Sequence, residues 1–196
     1  MGKLRASSHW RQRPVCVLPK PKLGDEVTAA AVETPRQRAA QPVYPVMLTN
    51  LAGARVVVVG GGVVAARKVT GLLPSAASIT VIAPELGETL SALHEQGAFT
   101  WQTRAYAPGD LVGARLAFAA TNVRAVNAQV AAEAAHQHIL CNVADDPTAG
   151  DFHAPATHRT ADGMVIAISS SGQSPRRATS LRNRIAQWLA DTNSTD

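Results

Sequence analysis

A run of β-branched residues that ends directly in three glycines constrains this chain more than any other feature of its sequence. Residues 55–59 (RVVVV) have the composition of a strand buried on both faces. Residues 60–65 then fit the pattern G-x-G-x-x-A, in which Gly60 permits a tight turn, Gly62 lets the backbone approach a pyrophosphate and Ala65 lets the next helix pack closely. The alternative is a glycine-rich turn without a ligand. We favour a dinucleotide-binding turn, with cofactor contacts from Gly60, Gly62, Val63, Val64 and Ala65.

Strand and helix patterns alternate along the chain after this turn. The predicted strands cover residues 55–59, 78–83, 99–104, 116–120 and 140–143, and the predicted helices cover 63–73, 86–96 and 123–138. Alternation at this spacing requires right-handed crossovers and a parallel sheet. The sequence therefore predicts an α/β fold, a Rossmann-like doubly wound parallel sheet.

The pattern changes after residue 146. Residues 154–159 and 164–169 read as paired strands around the turn 161–163. A helix is predicted over 175–189, with Ser174 as N-cap and a proline at its first position. We therefore expect a small C-terminal unit, a β-hairpin followed by a helix, beside the sheet.

Charge and cysteine content exclude several classes of protein. Residues 1–42 carry eight Lys/Arg and three Asp/Glu, whereas residues 43–196 carry eleven of each. The basicity therefore belongs to a tail, and a nucleic-acid-binding face on the domain is not expected. Cys16 and Cys141 form neither a disulfide framework nor a zinc motif, so no metal site is predicted. With no apolar run of about 18 residues to span a membrane, we expect a reduced cytoplasmic protein.

Polar residues at the ends of the predicted strands are candidates for cofactor binding. An acidic residue after the second strand would bind the ribose hydroxyls, and Pro84-Glu85 ends that strand. Glu85 lies 25 residues after Gly60, where an offset of about 20 is usual. No arginine lies there to hold a 2′-phosphate, so NAD is predicted over NADP. Further candidates at the carboxyl edge of the sheet are Thr121, Asn122 and Asn142.

Short motifs spread over residues 44–189 form a combination more specific than any one of them. They are Tyr44-Pro45, the glycine turn with Arg67-Lys68, TVIAP at 80–84, AATN at 119–122 with Asn127, CNV at 141–143, Phe152, Pro155, Arg159, AISS at 167–170, Gly172 and Ser174-Pro175. In this combination the chain resembles the siroheme synthase N-terminal family. The resemblance implies NAD-dependent dehydrogenation of precorrin-2 to sirohydrochlorin in siroheme biosynthesis, by a homodimer acting on a tetrapyrrole substrate.

The resemblance also implies a catalytic residue. Dehydrogenation delivers a hydride to the nicotinamide and a proton to a base, for which a carboxylate is suited. The residues alone do not choose between Asp145 and Asp146, and Asp-Asp-Pro is also a good turn sequence. By alignment to the family's Cys-Asn-Val segment, Asp145 takes the position of the catalytic aspartate.

Basic residues near the C-terminus are candidates for binding the substrate's carboxylates. Residues 159–196 hold five arginines and three acids, and arginine suits carboxylates. The alternative is that these arginines solvate the outer face of a helix. His153 is either a second acid–base group, a metal contact or an ordinary surface histidine. The predicted substrate contacts are Arg159, Ser170, Ser174 and His153.

The chain departs from the family pattern in two places. Ser171 stands where the family has a glycine, and Arg176-Arg177 replaces a usually apolar pair. The resemblance further implies a longer helical region after the last helix, so we expect a shortened substrate cleft and at most residual ferrochelatase activity. The predicted organisation is a disordered basic extension at 1–42, an NAD-binding domain at 43–146 and a truncated dimerisation and substrate region at 147–196. The alternative functions are a dinucleotide-binding sensor or a degenerate relative without turnover.

Overall fold

Five parallel strands form the sheet of the computed structural model, which describes residues 43–193. The strands are β1 (Arg55–Val59), β2 (Ser78–Ile82), β3 (Thr100–Gln102), β4 (Leu116–Ala119) and β5 (Leu140–Val143), in the order β3-β2-β1-β4-β5. The connecting helices are α1 (Val63–Leu72), α2 (Glu88–Glu95) and α3 (Arg124–His136), and a short 3₁₀ turn, Leu73–Ser75, follows α1. The predicted Rossmann-like sheet is confirmed. The extension predicted at 1–42 lies outside the described residues.

The central strand β1 is buried on both faces. Val56 and Val58 pack in the core on the side of α1 and α2, whereas Val57 and Val59 pack in the core on the side of α3. All four are at most 1% exposed, and burial of each stabilises the fold by about 1.5–3 kcal/mol relative to exposure. A charge in this run would be unpaired on either face, which explains its uniform apolar composition.

Helix α2 begins later than the sequence pattern predicts. The prediction was 86–96, and the helix covers Glu88–Glu95. Gly87 has extended backbone angles, and its N–H donates to the carbonyl oxygen of Gly61 at 2.8 Å. This tie to the glycine turn holds residues 86 and 87 out of the helix.

The C-terminal unit consists of an antiparallel hairpin and a long helix. Strands β6 (Ala156–Arg159) and β7 (Val165–Ile168) pair with Ala156 opposite Ile168. Helix α4 (Pro175–Asn193) packs against both strands. The helix begins at the predicted proline and runs past the predicted end at 189, because no glycine or proline interrupts residues 190–193.

Two features of the described residues bear on the expected class of protein. Cys141 is a free, buried thiol, and its burial, together with the nearby Asp151 carboxylate, raises its pKa to about 11. Within residues 43–193, no helix has the length and apolar character needed to cross a membrane.

Candidate functional site

The glycine turn after β1 is enclosed by the loops that follow β2 and β4. Gly60 has a φ of +125°, and a Cβ there would lie 2.4 Å from the carbonyl oxygen of Ala120. A Cβ on Gly61 would lie 1.9 Å from the carbonyl oxygen of Glu85. The need for glycine at 61 was not anticipated, because it arises from a loop more than 20 residues away.

Gly62 has the opposite surroundings. It is the N-cap of α1, no side chain caps the helix, and a Cβ there would meet nothing within 4 Å. The first N–H groups of a helix have no partner within the helix, so this open N-terminus can receive an anion. Ala65 is fully buried, as predicted for close helix–sheet packing, whereas Val63 is exposed beside the opening. These residues fit the pyrophosphate of a dinucleotide.

The loop after β2 supplies the predicted acidic residue. Pro84 and Glu85 are both exposed, and the preceding Ala83 accepts a hydrogen bond from Trp101 Nε1 at 2.9 Å. Residues 83–87 contain no arginine or lysine. A ribose diol could therefore be bound here by the Glu85 carboxylate, and a 2′-phosphate would meet a negative charge instead.

A buried asparagine connects the loop after β4 to the loop after β5. Asn127 is 1% exposed. Its Oδ1 accepts hydrogen bonds from the N–H and the hydroxyl of Thr121 at 3.0 and 2.8 Å. Its Nδ2 donates to the Thr121 carbonyl at 3.0 Å and to Asp145 Oδ1 at 2.8 Å. This network fixes the Asp145 carboxylate at the carboxyl edge of the sheet, one loop away from Thr121.

The neighbouring Asp146 has different contacts. Its carboxylate lies 3.2 Å from the Arg124 guanidinium and accepts hydrogen bonds from the N–H and the hydroxyl of Thr148. These are the contacts of an Asx-type turn together with an exposed ion pair. The two adjacent aspartates therefore have different hydrogen-bond partners. The sequence alone could not establish this difference. The remaining candidate of this edge, Asn122, is exposed after β4.

Asn142 lies at the end of β5 with an acceptor that lacks a partner. The residue is 5% exposed, and its Nδ2 donates to the Phe152 carbonyl at 2.7 Å. This bond fixes the amide orientation, and among the described residues Oδ1 is buried without a hydrogen bond. A buried acceptor left without a donor destabilises the fold by about 1–3 kcal/mol. Asn142, predicted as a cofactor contact, is among the residues that line a cleft.

This cleft has a volume of about 350 Å³ and lies between α1, the end of β5 and the hairpin unit. Arg67 and Lys68 line it from α1, and neither is among the site residues predicted from the sequence. Burial, and then the charge of Arg67, lower the pKa of Lys68, whose ammonium group lies 5.7 Å from the centre of the Phe118 ring. The sequence did contain a signal for Lys68, because this charged residue stands in the apolar stripe of α1 between Val64 and Leu72.

Only two of the four predicted substrate-binding residues line the cleft. His153 and Ser170 line the cleft. Ser174 does not line it, although its N–H donates to Ser170 Oγ at 2.8 Å. Arg159 is exposed at the end of β6 that is farther from the cleft, next to the hairpin turn.

The loop from 169 to 174 contains Ser171, one of the positions at which the sequence departs from the family pattern. Ser171 has a φ of +52° and Gly172 a φ of +77°. A left-handed conformation costs a non-glycine residue about 1–2 kcal/mol, which is a physical reason for the glycine that the family resemblance implies at this position. Gly172 lies beside the His153 ring, since a Cβ there would be 3.6 Å from His153 Cε1.

A metal site would need three or more His, Cys, Asp or Glu side chains close together. Residues 43–193 contain no group of three or more His, Cys, Asp or Glu side chains with suitable geometry.

Known proteins match a large part of this chain. Residues 47–156, more than half of the chain, match a family model described as "Putative NAD(P)-binding". The chain is 38% identical over 149 residues to a siroheme synthase of Pseudomonas putida (strain W619), covering 76% of this chain and 32% of that protein. It is 45% identical over 148 residues to a siroheme synthase of Gluconacetobacter diazotrophicus, covering 72% of this chain and 31% of that protein. The chain thus spans about a third of the length of these siroheme synthases.

A solved structure also matches. The chain is similar to "SirC, precorrin-2 dehydrogenase", with a TM-score of 0.60 and 32% sequence identity, over 76% of this chain and 71% of that chain. These matches support a nicotinamide dinucleotide, NAD or NADP, as the cofactor.

Proposed function

Since this chain belongs to the NAD(P)-binding family of precorrin-2 dehydrogenases and siroheme synthase N-terminal domains, we propose that it dehydrogenates precorrin-2 to sirohydrochlorin with NAD as hydride acceptor. The reaction converts precorrin-2 and NAD⁺ to sirohydrochlorin, NADH and a proton. Its place is in siroheme biosynthesis. The observation that carries the proposal is the Asp145 carboxylate, hydrogen-bonded by the buried Asn127 at the same sheet edge as the glycine turn.

Residues along the carboxyl edge of the sheet would hold the cofactor. The open N-terminus of α1 at Gly62 would bind the pyrophosphate, and Glu85 would bind the ribose hydroxyls. Thr121 and Asn122 would contact the next part of the dinucleotide without adding charge. A bound nicotinamide supplies the hydride acceptor.

Asp145 would accept the proton that leaves the substrate, directly or through one water molecule. Asp145 is exposed and stands in the chain between Ala144 and Pro147, which line the cleft. Asn127 holds one of its oxygens at 2.8 Å, which restricts the side chain while the other oxygen stays available as an acceptor. In this assignment Asn127 is a positioning residue, since it acts through Asp145.

The cationic lining of the cleft beside this edge is suited to an acidic substrate. It is lined by Lys68 and Arg67 on one side and by His153 and Ser170 on the other. Asn142, at the end of β5, also lines this wall. A tetrapyrrole carries both carboxylates, which the cationic side chains would bind, and N–H groups, which an acceptor would bind.

The decisive experiment compares two adjacent carboxylates. Anaerobic turnover of enzymatically generated precorrin-2 with NAD is followed by sirohydrochlorin absorbance for wild type, Asp145→Asn and Asp146→Asn. We expect Asp145→Asn to lower kcat by at least about 100-fold, as for the loss of a general base. Asp146→Asn is the matched control and should keep kcat within about 3-fold, because its amide oxygen can still accept the turn hydrogen bonds.

Two outcomes contradict the proposal. Equal losses in both variants would mean that the Asp-Asp turn is needed only for folding. No turnover by the wild-type chain, with NAD binding intact, would instead favour a dinucleotide sensor or a degenerate relative.

A further inference from the structure

A second cavity adjoins the cleft and has a strongly basic wall. It has a volume of about 490 Å³ and is lined by residues of α1 and the first turns of α4: Arg67, Pro175, Arg176, Thr179, Ser180, Asn183 and Arg184. We call it the arginine groove. Arg67, Pro175 and Thr179 line both the groove and the cleft. The two cavities are therefore continuous, and a ligand larger than the cleft would extend into the groove.

The charge of this combined surface is one-sided. Arg67, Lys68, Arg176 and Arg184 contribute four cationic side chains, and no Asp or Glu is among the described residues that line either cavity. The effect of Arg67 in lowering the pKa of Lys68 agrees with cations crowded at this wall. Residues 43–196 as a whole carry equal numbers of basic and acidic residues, so the cationic surface is a local concentration and not a consequence of overall charge.

From this geometry we infer that the arginine groove binds peripheral carboxylate groups of a polycarboxylate macrocycle whose ring lies in the cleft, with Arg67, Arg176 and Arg184 as the contacts. This inference rests on the proposed function for the identity of the macrocycle. Guanidinium groups bind carboxylates in a planar, two-pronged geometry, which suits flexible acidic arms better than it suits a neutral ring. In this inference three arginines that line one continuous surface take the role of carboxylate contact that the sequence analysis gave to Arg159.

The test measures binding and not turnover. The affinity of the full chain for uroporphyrin, a stable macrocycle with many carboxylates, is determined by fluorescence quenching for wild type, Arg176→Ala, Arg184→Ala and Arg177→Ala. Arg177 is the matched control, since it is adjacent, exposed and on the same helix but lines neither cavity. We expect Arg176→Ala and Arg184→Ala each to raise Kd about 5-fold, and Arg177→Ala to change it by less than about 2-fold.

Two further arms identify the chemistry that is recognised. The change caused by Arg176→Ala should shrink in high salt, as screening predicts, and should be smaller for coproporphyrin, which has fewer carboxylates. The affinity for NAD should stay the same in all variants. A parallel loss of NAD affinity would show that the groove serves the phosphates of the dinucleotide and would overturn the inference.

Other results also separate this inference from the proposed function. Equal effects of Arg176→Ala and Arg177→Ala, or no binding of uroporphyrin to the wild type, would overturn the inference even if precorrin-2 is turned over. Uroporphyrin binding that depends on Arg176, without turnover of precorrin-2, would support the groove and contradict the dehydrogenase.

Discussion

Gly61 and Gly62 are adjacent in the turn after β1, yet an added methyl group would meet different surroundings at the two positions. At Gly61 it would collide with a carbonyl oxygen of the Glu85 loop at 1.9 Å, whereas at Gly62 it would meet nothing within 4 Å. The first glycine is therefore required by the packing of two loops. The second is required, in our proposal, by the cofactor.

Alanine substitutions at these two positions should therefore affect different properties, the stability of the fold at Gly61 and the affinity for NAD at Gly62. We expect Gly61→Ala to lower the free energy of unfolding by about 2–3 kcal/mol, as in other overpacked sites. Gly62→Ala should lower it by no more than about 1 kcal/mol, the cost of a poorer N-cap. Its NAD affinity should nevertheless fall at least about 10-fold, because the methyl group occupies the space through which a pyrophosphate approaches the backbone. Urea unfolding and NAD titration measure the two effects, and equal stability losses would contradict the assignment.

Asn127 acts through Asp145 in the proposed mechanism, and a double-mutant cycle tests that relation. We expect Asn127→Ala to lower kcat about 10-fold in the wild-type background, because an unrestrained carboxylate spends less time in a productive position. In the Asp145→Ala background the same substitution should change kcat by less than about 2-fold, since residues that act as a unit are not additive. Equal effects in both backgrounds would mean that Asn127 acts through Thr121 or through the fold and not through Asp145.

Strands and helices were predictable because their signals are local. The β-branched run at 55–59 gave β1 its exact bounds, and the proline at 175 marked the start of α4. The glycine turn and the carboxyl edge of the sheet followed from the order of these elements. The end of α4 and the start of α2 were less well predicted, because the first lacks a stop signal and the second depends on a bond to Gly61.

The walls of the cleft could not be derived in the same way. Arg67 and Arg184 belong to helices more than 100 residues apart, and they line the arginine groove together only because the hairpin unit packs beside α1. Arg159 and Arg176 are chemically identical side chains in the sequence, but of these two only Arg176 lines the arginine groove. The bond between Asn127 and Asp145 likewise requires β4 and β5 to be neighbours. These features depend on tertiary packing, which local patterns do not encode.

At the scale of elements, Glu133 attaches the segment 106–111 to α3. Its carboxylate accepts hydrogen bonds from the N–H groups of Gly109 and Leu111, the hydroxyl of Tyr106 and the side chain of Gln137. Burial opposes ionisation of Glu133, but these hydrogen bonds outweigh it and lower the pKa of the carboxyl group below its usual 4.5. Its stabilising contribution is therefore present above pH 4.5 and is lost as the pH falls through the lowered value.

We therefore expect Glu133→Gln to lower the free energy of unfolding at pH 7 by about 1–2 kcal/mol, since hydrogen bonds to a charged acceptor are weakened. The difference from wild type should shrink as the pH falls from 4.5 through the lowered pKa, at which the native carboxylate also becomes protonated. Denaturant unfolding between pH 3 and 7 measures it, with Glu95→Gln on α2 as the exposed control. A difference that does not change with pH would contradict an ionised Glu133.

At the scale of the whole molecule, residues 43–196 are neutral overall, and the charged side chains of the described part are unevenly distributed. The basic excess of the chain lies in residues 1–42, and residues 43–196 have equal numbers of acids and bases. The sheet edge carries acidic side chains at Glu85 and Asp145, whereas the adjoining cleft and arginine groove carry cations. In the proposed reaction this arrangement keeps the proton acceptor apart from the groups that bind the substrate's carboxylates, so that Asp145 is not neutralised by an ion pair.

Exposed apolar side chains on α4 bear on the assembly of the molecule. Leu181 and Trp188 are 43% and 64% exposed, and a separation of seven residues places them on one face of the helix. We expect this face to pair two copies, as the family resemblance implies. Trp188→Glu should weaken the dimer at least about 30-fold, as for loss of an aromatic interface anchor. Val112→Glu, at a similarly exposed apolar position (63%) near the start of β4, is the matched control and should leave the dimer intact. Light scattering that gives a monomer for the wild type, or dissociation in both variants, would contradict pairing through α4.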